Sequence, residues 1–443
     1  MVATCSNISA KGPAFSAIKS RMKNYPCGLM PFRQFMDMAL YSKEGFYNRV
    51  RFGKRADGNH FSTAPYQHGW NLGSSIGVFV ANAWEKMGRP KELILAEAGP
   101  GEGKMMDDTL MYLSGKRSDV FEALNVKMVE VAGGLVRRQK ETLAWYTSKK
   151  KVKIDWIKKS ILDTSLQGKF GIFVSNECLD QLPFSVHGFS SNIKENSQDS
   201  DRFYYFKDMY VRYNDEQRSF EFVPVNEVAL RNTDELLMEW EITKNRSLIK
   251  GHDFSASPET LSYLSFLCSN NIGIPELKKS GGKIVAAAPD SLSSYVKSTL
   301  PFGTSVSLFL DYGTASGFFP GFKFLDGQRH LSAEPQNLAL SLNEPGERDL
   351  TFGVDFRWTH KQAVELGAEA FTTARFAFYE AAGFPTKDKI MQFVQILSRG
   401  NVNMADLVDL PYRERLRHGL THMSSTLFEA SSRVLGPERT RNY

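Results

Sequence analysis

The spacing of apolar side chains changes several times along this chain, and each change predicts a different kind of element. Between residues 16 and 40 they recur at helical intervals (Phe32, Phe35, Met36, Ala39, Leu40), and residues 66–87 read as a long helix. From Glu92 the pattern becomes short apolar runs separated by helical stretches. The runs 93–96, 126–130, 152–157 and 171–175 have the length of buried strands, and strands alternating with helices predict a mostly parallel sheet. Past Phe189 the polar stretch 192–202 reads as an exposed loop. Residues 203–206, 209–213 and 219–223 then read as an antiparallel meander turning at 214–217. Residues 226–279 read as mainly helical. Two further apolar runs, 283–287 and 306–310, are expected to rejoin the core sheet, and the chain beyond Pro385 reads as helical and polar.

The predicted organisation is therefore an α/β core at 91–190, completed by 281–385 with its acceptor-side loops. Residues 1–90 form a helical N-terminal region carrying a loop able to cover the site. Residues 191–280 are an inserted α+β accessory module facing a substrate or partner, and 386–443 a helical C-terminal extension.

The chemistry begins where the first core run ends. Glu92-Leu-Ile-Leu-Ala-Glu-Ala-Gly-Pro-Gly-Glu-Gly-Lys104 is a strand running into a glycine-dense turn, followed by a helical pattern at 105–113. Gly99, Gly101 and Gly103 let backbone approach a ligand closely. Glu130, at the tip of the next run, is placed to accept hydrogen bonds from a ribose diol. A dinucleotide site would space its glycines G-x-G-x-x-G and rest the pyrophosphate on the helix N-terminus. Here the spacing is G-x-G-x-G, with Glu97 before the turn and Glu102 inside it, and carboxylates repel phosphates. S-adenosylmethionine has no phosphate and carries an ammonium and a sulfonium, so it is the expected cofactor. An ordinary strand-to-helix loop is the bland alternative, and it gives no reason for the acid at the next strand tip.

A second constellation follows the fourth run: Ser175-Asn-Glu-Cys-Leu-Asp-Gln-Leu-Pro183. Asn176, Glu177 and Asp180 emerge at a strand's carboxyl end, where open α/β sheets bind their ligands, and can orient a nucleophile and take its proton. A capped helix start, with the acids on the dipole, is the competing reading. The run Leu308-Phe-Leu-Asp-Tyr-Gly313 brings Asp311 and Tyr312 to the same rim. Asp349 and Asp355 add further acids, equally readable as turn and cap residues.

Composition narrows the class. The 443 residues are 42% hydrophobic and 23% charged, values of a globular protein, and no apolar run approaches the roughly 20 residues of a membrane span. A net charge of +6 with basic clusters at 49–55 and 149–153, but no nucleic-acid-binding signature, makes nucleic acid a poor candidate partner. The four cysteines are scattered, without C-x-x-C or ligand spacing, which argues for a reducing compartment and against structural zinc. No H-E-x-x-H or G-x-S-x-G occurs, so neither a catalytic metal nor serine hydrolase chemistry is expected. No acid precedes Asp37, while Lys11, Lys19, Arg21, Lys23 and several serines do. That composition resembles a mitochondrial transit segment, or else a basic arm interrupted by Pro13.

Taken in order, Phe61-Ser-Thr-Ala-Pro65, Glu97 to Gly103 with Asp107-Asp108, Val129-Glu130, Asn176 to Pro183, Leu310-Asp-Tyr-Gly313, and Asp349-Leu-Thr with Val354-Asp-Phe356 resemble the MidA-like methyltransferases. The resemblance runs from about Ser16 to Pro385 and extends to the mitochondrial arginine methyltransferases of complex I assembly. It implies a Rossmann-like class I methyltransferase core bearing an inserted module. Thr63, Glu97, Gly99, Gly101, Gly103, Asp108 and Glu130 are then expected to bind S-adenosyl-L-methionine. Asn176, Glu177 and Asp180 would line the transfer site, with Asp311, Tyr312 and Asp355 on the acceptor side. The acceptor would be a protein arginine in the mitochondrial matrix. A small-molecule O- or N-methyltransferase, a cytoplasmic location, a homodimer and a catalytically silent cofactor-binding assembly factor stay open.

Overall fold

The structure, a computed structural model, describes residues 12–53, 62–67, 70–192, 203–230, 283–287, 289–300, 303–314, 322–326, 329–331, 342–352, 354–383 and 393–402. The chain enters through α1 (Phe15–Met22), the two-residue β1 (Met30–Pro31), α2 (Phe32–Tyr41) and α3 (Phe46–Arg49), then α4 (Ala64–Gln67) and α5 (Trp70–Lys86). The core follows as β2 (Leu93–Ala98), α6 (Lys104–Lys116), α7 (Ser118–Glu122), β3 (Leu124–Val129), α8 (Gly133–Thr142), α9 (Ala144–Ser148), β4 (Lys153–Ile157) and β5 (Phe170–Asn176). An antiparallel excursion, β6 (Ser185–Asn192), β7 (Phe203–Asn214), β8 (Ser219–Leu230) and β9 (Lys283–Ala287), leads through α10 (Pro289–Thr299) back to the core strand β10 (Thr304–Asp311). Short strands β11 (Gly313–Thr314), β12 (Phe322–Asp326), β13 (Arg329–Leu331), β14 (Asp349–Phe352) and β15 (Val354–Asp355) precede α11 (Phe356–Glu365), β16 (Glu369–Ala374), α12 (Arg375–Ala381) and β17 (Phe393–Arg399).

Seven strands form the central sheet in the order β16-β17-β10-β5-β2-β3-β4. All pairings from β10 to β4 are parallel, and only β17 runs antiparallel to its two neighbours. Side-chain alternation sends the two faces to separate cores. Leu93, Leu95, Val126, Met128, Val174, Val306 and Ile396 pack with α5, α6 and α12. Ala96, Ala98, Val129, Phe173, Phe309 and Leu397 pack with the N-terminal helices, α10 and α11. A sheet buried on both faces explains why its strands read as continuous apolar runs.

The accessory sheet has the order β1-β7-β6-β9, with β8 on the other side of β7. This corrects the sequence reading in three places. Residues 283–287 pair with β6 and not with the core sheet, because an apolar run states burial but not its partner. Residues 203–214 are one strand, bent by an irregularity between Phe206 and Asp208. Its partner β8 continues through residues 226–230, which read as the start of a helix.

Residues 393–399, expected in a helical extension, are a core strand. Val394, Ile396 and Leu397 are buried between its neighbours. The run looked polar because it carries Gln395, which is fully buried yet satisfied, its Nε2 donating to the Phe356 carbonyl (3.0 Å). Lys19 and Arg21 belong to α1, whose Phe15, Ile18 and Met22 are buried, so these basic residues sit on a packed helix. Lys11, the loop residues 58–61, and the regions 193–202, 231–282 and 403–443 lie outside the described residues.

Because Ile396 is 2% exposed in the middle of the sheet, Ile396→Ala should cost about 2–5 kcal/mol of unfolding free energy in a denaturant titration. An unchanged midpoint would place β17 outside the core.

Candidate functional site

The strand order fixes where a ligand can sit. From β2 the sheet is extended by β3 and β4 on one side and by β5 and β10 on the other, so the chain reverses between β2 and β5. Loops leaving the carboxyl ends of those two strands diverge and leave a crevice. A cleft enclosing about 1040 Å³, solvent at its mouth included, opens there. Its floor is Gly99, Pro100 and Gly101 after β2 and Asn176, Glu177 and Cys178 after β5. Its walls include Val129 to Val131, Leu135, Ile161, and the N-terminal residues Tyr41, Tyr47, Phe52 and Thr63.

Gly99, Gly101 and Gly103 all have left-handed backbone, with φ of 59°, 55° and 84°. A side chain at Gly99 would also meet Cys178 Sγ at 2.9 Å, so this turn demands glycine on two counts. Gly103 then starts α6, aiming that helix's N-terminus toward the cleft.

Two acids dominate the electrostatics. Glu97 is 2% exposed, and burial, reinforced by Glu130, pushes its carboxyl up to about 8; its Oε2 has no hydrogen-bond partner among the described residues. A buried, unpartnered carboxyl at the lip of a cleft fits a cationic guest such as an ammonium. Glu130 is pushed up to about 7 by burial, opposed by the Ala132 N–H (2.8 Å) and by Gln139 Nε2 (3.2 Å). Gln139 Nε2 also donates to the Gly101 carbonyl (2.8 Å), so one amide ties the glycine turn to the strand-tip acid. These groups fit a cofactor bearing an amino group and a ribose diol.

Glu102, read from sequence as part of the acidic turn, is occupied elsewhere. Its carboxylate pairs with Arg138 Nε (3.0 Å), accepts from the Tyr66 hydroxyl (3.0 Å) and lies 3.4 Å from the Phe52 N–H. It clasps the N-terminal region to the turn.

On the other side, Asp311 at the end of β10 is fully buried and pushed up to about 7 by burial. Its Oδ2 accepts from the backbone N–H groups of Cys178 (3.1 Å), Leu179 (2.8 Å) and Asp180 (3.3 Å), and its Oδ1 from Tyr312 N–H (2.7 Å). Glu177 is held in left-handed backbone (φ 50°), and its Oε1 accepts the Ala64 N–H (3.1 Å). Burial raises its carboxyl while Arg375 lowers it. Behind Glu177, Asp180 accepts from the Thr351 hydroxyl (2.8 Å) and is held far above the usual carboxylate range by burial, Asp311 and Asp349. Asp349, pushed up to about 7 by burial, accepts from the Tyr47 hydroxyl (2.7 Å).

Of the residues singled out from sequence, Thr63, Glu97, Gly99, Gly101, Glu130, Asn176 and Glu177 line the cleft together. Gly103 supports it from the helix start. Asp108 is turned between α6 and α5, bonded to Lys104 Nζ and packed against Gly73. Asp180 and Asp311 stand behind the wall, Tyr312 lies near Arg375, and Asp355 contributes backbone to β15 opposite Thr314. Sequence reasoning missed Gln139, Tyr47 and Arg375. The partners of Tyr47 and Arg375 are distant in sequence, and Gln139 is an ordinary helix residue that no local pattern marks. Among the described residues no cluster of metal-ligand type occurs, and no helix is long and apolar enough to cross a membrane.

The family described as "Putative S-adenosyl-L-methionine-dependent methyltransferase" matches residues 75–373. The chain is 30% identical over 142 residues to the mitochondrial protein arginine methyltransferase NDUFAF7 homolog of Drosophila melanogaster, covering 32% of this chain and 31% of that protein. It is 31% identical over 149 residues to the Caenorhabditis elegans homolog, covering 31% of this chain and 33% of that protein. The match thus spans about a third of the length of these relatives. Among solved structures, a superfamily member from Burkholderia thailandensis bound to S-adenosyl-homocysteine aligns over 88% of this chain and 93% of that chain, with TM-score 0.61 and 19% identity. That likeness is one of fold: an α/β core of Rossmann-like type with a mostly parallel sheet.

Two outcomes are expected. At pH 7 the Glu97 carboxyl, with its value near 8, is mostly protonated, and a cationic guest favours the carboxylate. Binding of S-adenosylmethionine should therefore release a proton, seen as a dependence of the calorimetric enthalpy on buffer ionisation, and weaken as pH falls from 7.5 to 6, a window set roughly by that value. Glu97→Gln should abolish the proton release and weaken binding on the order of 10–100-fold. Separately, Gly99→Ala should lower stability by roughly 1–2 kcal/mol and weaken cofactor binding, with Cys178→Ala restoring only the part due to the 2.9 Å contact.

Proposed function

This chain belongs to the S-adenosyl-L-methionine-dependent methyltransferase family that matches residues 75–373, and on that premise we propose that it methylates an arginine side chain of a protein. The observation that carries the choice of acceptor is the carboxyl-rich end of the cleft. Glu177 faces the cleft, and Asp180, Asp311 and Asp349 stand close enough behind it to raise one another's proton affinity. Such a region is stabilised by a cationic guest and gains nothing from a neutral one. The curated relatives are named as arginine methyltransferases, which supports the same class.

The bound cofactor supplies an electrophilic methyl on sulfur. The protein's part is alignment and proton handling. In this reading Glu97, Gly99, Gly101 and Glu130 hold the cofactor across the switch point, with Thr63 and Phe52 covering it. Glu177 forms a charge-assisted pair with the guanidinium and leaves one nitrogen directed at the methyl; its carboxylate also takes the proton that the methylated nitrogen must lose. Asn176 holds that carboxylate through its side-chain amide. Asp311 fixes the loop by accepting its backbone N–H groups, and Asp180 and Asp349 are anchored behind it by Thr351 and Tyr47.

By the motif resemblance and the mitochondrial naming of the relatives, the acceptor belongs to a subunit of respiratory complex I in the mitochondrion. The test is incubation of the purified chain with isotope-labelled S-adenosylmethionine, a mitochondrial protein extract and a metabolite extract. Mass spectrometry should find a labelled methyl on a protein arginine. Label confined to small molecules would make this a metabolite methyltransferase, and cofactor binding without any transfer would make it a silent assembly factor. Glu177→Gln should reduce transfer at least on the order of 100-fold while leaving S-adenosylhomocysteine affinity within about twofold.

A further inference from the structure

Arg375 begins α12, directly after the edge strand β16 and two residues beyond the span matched by the family. Its side chain is 1% exposed, the largest of the fully buried ones. Nη2 lies 3.4 Å from Asn176 Oδ1 and 3.8 Å from Glu177 Oε1, and the guanidinium carbon lies 5.9 Å from the Tyr312 ring centroid. Nε and Nη1 have no hydrogen-bond partner among the described residues. A buried guanidinium with most of its donors unused bears the penalty of a desolvated ion, so it needs a compensating charge. The carboxylate paired with it is Glu177, the acid that faces the cleft.

Glu177 is itself an unusual anchor. Its backbone occupies the left-handed region, and its N–H donates to the Leu310 carbonyl (2.8 Å). Its Oε1 is shared between Arg375 and the Ala64 N–H of the covering segment. Burial raises the proton affinity of a carboxyl at that depth, and the Arg375 guanidinium, the Ala64 N–H and Asn176 lower it. The guanidinium and the Ala64 N–H together fix the direction of the carboxyl. The guanidinium reaches Asn176 and Glu177 at once, so it sets two consecutive residues of the transfer loop.

We propose that Arg375 is the positioning residue of the transfer site: it holds Glu177 and Asn176 in place and keeps the Glu177 carboxyl aimed into the cleft, and so gives the cleft its preference for a cationic sulfonium over a neutral thioether. This rests on the methyltransferase reading above. It assigns a role to the junction of β16 and α12 at the edge of the sheet.

The experiment is a comparison of S-adenosylmethionine and S-adenosylhomocysteine binding by calorimetry at pH 7, using the full chain and four variants: Arg375→Met, Arg375→Lys, Glu177→Gln and the Arg375→Met/Glu177→Gln pair. The two ligands differ in the sulfonium charge and its methyl. Arg375→Met should lower the preference for S-adenosylmethionine about tenfold while S-adenosylhomocysteine affinity stays within about twofold. Glu177→Gln should do the same, the pair should add nothing to either single change, and Arg375→Lys should restore most of the preference. Thermal melts accompany each variant. If Arg375→Met weakens both ligands equally, or if its effect adds to that of Glu177→Gln, the residue is a structural ion pair and the proposal falls while the methyltransferase reading stands. If the unmutated chain binds neither ligand, both fall.

Discussion

The site depends on one buried carboxylate that contacts no ligand. Asp311 gathers the backbone N–H groups of Cys178, Leu179 and Asp180 onto a single oxygen and caps its own neighbour with the other. Three consecutive donors aimed at one point force the chain leaving β5 to curl at once instead of continuing as strand. That curl places Glu177 in left-handed backbone, brings Cys178 against Gly99 and sets Gln181 beside Asp349. The backbone N–H bonds offset part of the cost of burying Asp311, so strand β10 can carry an ionisable group at its fully buried tip although burial still raises its proton affinity. The order of the sheet, with β10 beside β5, therefore shapes the loop that carries Glu177 to the cleft.

The cofactor side uses the same logic with fewer bonds. Glu130 is satisfied by Ala132 and Gln139, whereas Glu97 keeps one oxygen unpartnered among the described residues. Two acids at neighbouring strand tips thus differ: Glu130 is already oriented, and Glu97 is left open in the cleft. Glu102, a third acid in the same turn, is spent on Arg138, Tyr66 and Phe52, so the turn's acidity divides between ligand and scaffold.

How much was legible in the sequence follows from the range of each interaction. The glycine turn, the strand ahead of it and the acid at the next tip lie within one β-α-β unit, where positive φ and apolar runs leave local marks. The transfer loop was legible for a similar reason, since strand, polar triplet and proline are consecutive. Gln139, Tyr47 and Arg375 were not legible, because the first is an ordinary helix residue until folding puts it under Gly101, and the others act across separations that no window spans. Strand β9 read correctly as a strand but was given to the wrong sheet, since buried apolar runs look alike wherever they pair. Strand β17 was hidden by Gln395, whose amide is satisfied by a helix that the sequence does not place beside it. Asp108 was expected at the site from the motif resemblance, and helical periodicity turned it toward α5 instead.

The N-terminal segment that walls the cleft is held almost wholly by residues far downstream. Tyr47 bonds Asp349, Gly12 and Ala14 pair with the backbone at Asn343 and Pro345, and Met30–Pro31 forms a strand only against Tyr210–Val211. During synthesis the chain emerges from its first residue, so Phe32, Phe35, Met36 and Leu40 leave the ribosome long before the surfaces that bury them exist. For most of translation this amphipathic helix has its greasy side in water. Building the front wall of the cleft from a segment made before its partners leaves that apolar face uncovered until the later strands are synthesised.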